Sequence, residues 1–100
     1  MTGEKVRVCV DELAAIVRDQ IPGKHARQHD SAYLVTNQGE QYQHLLYMAE
    51  EIHELVSAGK IEKAMRWLGF MQGVLWSLSI CPLDQLKRMN MPDHERMQLE

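Results

Sequence analysis

Glu50, Glu51 and Glu54 form the densest set of potential metal ligands in this chain of 100 residues. On a helix, Glu50 and Glu54 fall one turn apart on one face, where two carboxylates can share a magnesium ion through hard oxygen ligands. A full cage needs further carboxylates from a facing helix, and the candidates there fail: Glu62 is followed three residues later by Met65, and Asp84 has no acidic partner at that spacing. His25 and His29 lie four apart, with Asp30 beside them, so on a helix two imidazoles would face one metal. Pro22-Gly23 precedes them, however, and no third firm ligand follows. The reading is a polar loop with no metal and no cofactor. His44 and His53 have no nucleophile at a recognisable spacing. Ser31, Ser57, Ser77 and Ser79 sit in no turn that would expose and activate a hydroxyl.

Two basic clusters could meet an anion. One comprises Lys24, Arg27 and the neighbouring histidines; the other is Lys60, Lys63 and Arg66, where the amides and dipole of a helix start also favour negative charge. The plainer reading is solubilising charge, with Glu62 and Arg66 paired one turn apart. The net charge of -3, with both signs interspersed, fits neither a protein driven onto nucleic acid by phosphate neutralisation nor a strongly acidic mimic of DNA.

These side chains must be positioned by helices. Val6, Cys9, Val10, Leu13, Ile16 and Val17 recur at three- and four-residue spacing and predict an N-terminal helix ended by Pro22-Gly23. Val6, Val8 and Val10 also alternate, so a short strand over 5–10 pairing with 32–36 is the alternative. Residues 22–36 hold no sustained period and read as a connecting loop. Asn37 followed by Glu40 predicts a helix start, and Tyr42, Leu45, Leu46, Ala49, Ile52, His53 and Val56 line one face as far as Gly59. A helix from Lys60 follows at once, with Ile61, Ala64, Met65, Leu68, Met71, Gln72, Leu75 and Leu78 on its inner face. Pro82 opens a short last helix with Leu83, Leu86 and Met89 inward, stopped by Asn90 and Pro92, and residues 93–100 read as a frayed tail. The expectation is one all-α domain spanning 1–100. It is a small bundle built on an antiparallel hairpin, about 37–58 and 60–79, with the N-terminal and C-terminal helices packed on it.

Between Arg66 and Asp84 the chain carries no charge. The stretch is interrupted by Gln72, Ser77, Ser79 and Pro82 and is too short to cross a bilayer, so no membrane span is expected. Gly69 and Gly73 inside the helix each cost about 1 kcal/mol relative to alanine, which predicts close approach by another helix, either from within the chain or from a second copy across a twofold axis. Trp67, Gly69, Phe70, Gly73 and Trp76 are therefore the expected packing or dimer surface, and the helix reads as the centre of the bundle. Cys9 and Cys81 sit among apolar residues without a Cys-x-x-Cys pair or an export segment, which fits buried, reduced thiols in a cytoplasm.

The string Met65-Arg66-Trp67-Leu68-Gly69-Phe70-Met71-Gln72-Gly73-Val74-Leu75-Trp76, followed by Pro82-Leu83-Asp84-Gln85-Leu86-Lys87-Arg88-Met89-Asn90-Met91-Pro92, resembles a segment of small helical proteins encoded by bacteriophages and prophages. The resemblance covers residues 40–92. It implies an accessory protein without catalytic residues that binds and inhibits or modulates a host protein or ribonucleoprotein complex in the host cytoplasm; anti-CRISPR and other anti-defence factors are among the proteins of this kind. In that reading Asp11, Glu12, Glu50, Glu51 and Glu54 engage a basic host surface, while Lys24 and Arg27 in the loop add contacts. The alternative is a nucleotide-directed protein, either sequestering nucleotide or hydrolysing it as the all-α nucleotide pyrophosphohydrolases do. Those proteins share the glutamate spacing of Glu50 and Glu54, but their second acidic motif has no counterpart here.

Overall fold

Short polar side chains and left-handed residues set the helix ends. The computed structural model describes residues 1–28 and 37–91, which form four helices: α1 (Gly3–Gln20), α2 (Gln38–Ser57), α3 (Ile61–Ser77) and α4 (Leu83–Asn90). Thr2 begins α1, its hydroxyl accepting the Lys5 N–H at 3.1 Å. Asn37 begins α2 in the same way, with Oδ1 accepting the Glu40 N–H at 3.1 Å. Each bond satisfies one of the amide donors that a helix start leaves without a partner.

The two ends of the hairpin close alike. After α2 the chain turns at Gly59 (φ 78°), so that the Lys60 N–H reaches the Leu55 carbonyl at 2.9 Å and the Gly59 N–H reaches Val56 at 3.0 Å. This paired closure needs a left-handed residue just past the helix, and glycine adopts that conformation without steric cost. After α3 the same two bonds form, Ile80 to Leu75 at 2.9 Å and Ser79 to Trp76 at 3.0 Å, but the left-handed residue is Ser79 (φ 63°). The antiparallel hairpin expected from the sequence is present, and so is the all-α bundle around it.

The core comes from one face of each helix. Val6, Cys9, Val10, Leu13, Ala14 and Val17 of α1 are buried against Leu45, Ala49 and Ile52 of α2 and Ala64, Leu68, Met71 and Leu75 of α3, within one apolar cluster. The alternating strand over 5–10 is not formed. A helix puts Val6, Val10, Leu13 and Val17 on one side, while a strand would have buried Val8, which is 41% exposed. The pairing segment of that alternative, 32–36, lies outside the described residues. Gly3 is the glycine that permits close approach: a Cβ there would stand 3.0 Å from Val56 Cγ1 and 3.2 Å from Ile61 Cδ1, where α1 meets the turn of the hairpin.

α3 is not the centre of the bundle, contrary to the reading of its all-round apolar surface. α2 makes the broadest contacts with both α1 and α3, and one whole side of α3 faces solvent. α4 closes the end of the bundle with Leu86 and Met89 buried. The Cys9 thiol donates to the Met89 carbonyl at 3.1 Å, and the side-chain amides of Gln72 and Asn90 exchange hydrogen bonds at 2.8 and 3.2 Å. Gln72, set among apolar neighbours, is thereby satisfied and fixes α4 to α3. Leu83, expected inward, is 52% exposed because α4 begins at it with Pro82 as the cap, which turns it outward.

Candidate protein-docking surface

Three- and four-residue steps along α3 separate two faces. Ala64, Leu68, Met71 and Leu75 fall on the buried face, and Arg66, Gly69, Gly73 and Ser77 fall along the middle of the opposite one. Met65 (38% exposed) and Trp76 (56%) flank that middle row on one side, and Phe70 (56%) flanks it on the other. A Cβ built at Gly69 or Gly73 meets no atom within 4 Å, so none of the described helices approaches them. The within-chain packing expected at these glycines is thus not made by the described residues. Both are helical, neither has a positive φ, and each still forgoes about 1 kcal/mol of helix propensity. Side by side they leave a trough between aromatic walls, and a groove of about 290 Å³ continues it past Trp76 and Leu83 to Lys87 and Asn90 of α4.

Trp67 does not belong to this surface. It is half-buried against the core, with the Lys63 ammonium 5.7 Å above its ring, a cation over an electron-rich face. Met65 and Leu83, which the sequence placed inside, do belong to it. The legible signal for Met65 was its place one turn before Gly69 and three turns before Trp76, which outweighs its neighbourhood with Ala64.

The other candidates do not converge on one site. Asp11 accepts a hydrogen bond from His53 Nε2 at 2.7 Å. His53 Nδ1 lies 2.9 Å from Arg7 Nη1, and Arg7 Nη2 donates to the Ser57 hydroxyl at 2.7 Å. A guanidinium can only donate, so Nδ1 must accept and the ring proton sits on Nε2. The result is a polar clamp between α1 and α2. Although Asp11, His53 and Ser57 are neighbours, the arrangement differs from a catalytic triad: the nitrogen that would take a serine proton is occupied by Arg7.

Glu50 and Glu54 are exposed on α2 and Glu51 is half-buried, while Glu12 lies half-buried on α1. Among the described residues no cluster of three acidic, histidine or cysteine side chains could hold a metal ion. Lys24 and Arg27 are exposed in the segment after α1, which is fastened to α2 by the Arg27 N–H on the Gln43 carbonyl at 3.0 Å. His29 and Asp30, the remaining members of the histidine reading, lie outside the described residues, as does the tail expected at 93–100. Lys60, Lys63 and Arg66 border a shallow depression of about 440 Å³ at the start of α3. Cys9 and Cys81 are buried and form no disulfide, and burial pushes the Cys81 thiol up from its ordinary value. None of the helices described is long and apolar enough to cross a membrane.

No family model, curated protein or solved structure matches the chain.

Proposed function

We propose that this chain works by association, as a small accessory protein that binds a protein target and modulates the complex to which that target belongs. The observation that supports it is the exposed face of α3 and α4. Four large apolar side chains, Met65, Phe70, Trp76 and Leu83, stand 38% to 56% exposed around two helical glycines that no part of the described chain covers. Exposed apolar patches of this kind, rich in aromatic residues and methionine, characterise the centres of protein interfaces. The resemblance of residues 40–92 to phage-encoded helical proteins supports placing the target in a host cell's cytoplasm, with inhibition or another anti-defence role as its purpose. The exposed carboxylates Glu50 and Glu54 then offer a second, acidic contact on a different helix.

Affinity capture from bacterial lysate tests this with three proteins: wild type, the pair Phe70→Ser/Trp76→Ser, and the pair Glu50→Lys/Glu54→Lys. The expected result is a specific protein retained by wild type and lost by at least one pair. Nucleotide co-purifying with the chain, or magnesium-dependent hydrolysis of a nucleoside triphosphate, would replace association with the nucleotide-directed alternative. The depression beside Lys60, Lys63 and Arg66 is the observation that favours that rival.

A further inference from the structure

The α3 face is rimmed by mixed charge with a basic excess at each end. The chain carries Lys60, Lys63 and Arg66 against Glu62 at the start of α3, no charge from Trp67 to Leu83, and Lys87 and Arg88 against Asp84 in α4. Lys87 itself lines the groove that continues the trough. α2, by contrast, holds Glu40, Glu50, Glu51 and Glu54 with no lysine or arginine. Among the described residues the apolar face is therefore net positive at both ends, Glu62 and Asp84 offsetting only part of the basic charge, while α2 is wholly acidic.

Resting on the association reading above, we infer that this face receives an amphipathic helix of a protein partner, one whose narrow apolar stripe is flanked by aspartate or glutamate. Shape selects a helix. A small-residue row between Phe70 on one side and Met65 and Trp76 on the other accepts a ridge of side chains running at helical spacing. Area selects a single element rather than a whole domain: two half-exposed aromatics with one methionine and one leucine present on the order of 400 Å² of apolar side chain, about half of what each partner contributes to a standard interface.

Charge selects an acidic partner over a second copy of this chain. In either orientation a twofold pairing of α3 on α3 would bring one net-basic rim against another, because Glu62 and Asp84 cancel only one positive charge at each end. An acidic helix instead meets opposite charge at each end, which favours encounter and fixes its register along the trough.

The test is a selection from a display library of helical peptides, randomised on one face and flanks, panned against wild type and counter-selected against Gly69→Leu. That variant removes the trough without threatening the monomer, since its Cβ meets open space and leucine favours a helix. Enriched peptides are expected to place apolar residues at three- and four-residue spacing with flanking acids, and to lose at least tenfold in affinity on Gly69→Leu. On Arg66→Glu or Lys87→Glu they are expected to lose about threefold to tenfold. Basic or non-helical winners overturn the assignment, as do binders indifferent to Gly69→Leu or no enrichment at all. A wild-type dimer in sedimentation that becomes monomeric in Gly69→Leu also overturns it and assigns the face to a second copy. If a target protein captured from lysate stays bound to Gly69→Leu, this assignment fails while the association reading stands. If acidic helical peptides are enriched but no protein is captured, the association reading fails and the trough's preference for acidic helices remains.

Discussion

Ser79 and Cys81 stand within three residues of each other and carry opposite lessons about the end of α3. Ser79 holds the left-handed conformation (φ 63°) that closes the helix, a position where a side chain costs about 1 kcal/mol that glycine avoids. Ser79→Gly is therefore expected to raise stability by about 0.5–1 kcal/mol, the relief of strain being partly offset by the greater freedom of glycine in the unfolded chain. A shift of the urea midpoint to higher concentration at constant slope checks it. Cys81 is held protonated by burial, so its folded pKa lies above its unfolded one. The folded state then binds the proton more tightly, and the stability this contributes is present below the unfolded thiol pKa and fades as pH rises through the range above it. Chemical unfolding followed from pH 7 to pH 10 should show falling stability, and Cys81→Ala should flatten that fall.

At the scale of the helix, Gly3 and Gly69 look alike in sequence and differ in surroundings. Gly69→Ala adds a methyl into open space on an exposed helix and is expected to stabilise the isolated chain by roughly 0.5–1 kcal/mol. Gly3→Ala has no such gain, because its methyl would press on Val56 and Ile61 at 3.0 and 3.2 Å. Thermal melts of the two variants beside wild type separate a glycine that packing requires from one that packing leaves unexplained. The periodicity of α1, α2 and α3 and the caps at Asn37 and Gly59 were legible because they are local: a side chain bonding its own first turn, or a left-handed residue after its last. Met65 was misread for a related reason. A helix with apolar residues on every side does not say which side its neighbours will cover, and only the approach of α1 and α2 to the row Ala64, Leu68, Met71 and Leu75 decides it.

For the molecule as a whole, folding and association draw on different residues. Ile52 of α2 is fully buried in the apolar cluster that α1, α2 and α3 share, so Ile52→Ala is expected to cost about 2–5 kcal/mol, a large share of the total stability of a domain this size. Phe70→Ser, at a side chain already 56% exposed, is expected to change stability by less than about 1 kcal/mol. Denaturant curves for both variants check the division, and comparable losses would mean that the α3 face belongs to the folded core. The sequence alone determined the helices, the hairpin and the absence of charge between Arg66 and Asp84, since each follows from spacing within one turn or from composition. Tertiary structure alone decided that Gly3 rather than Gly69 and Gly73 meets another helix, that Asp11 is bound to His53 and that Gln72 pairs with Asn90. Each of those facts depends on the separation in space of residues distant along the chain, and hydrophobic periodicity specifies how much surface must be buried without specifying against what.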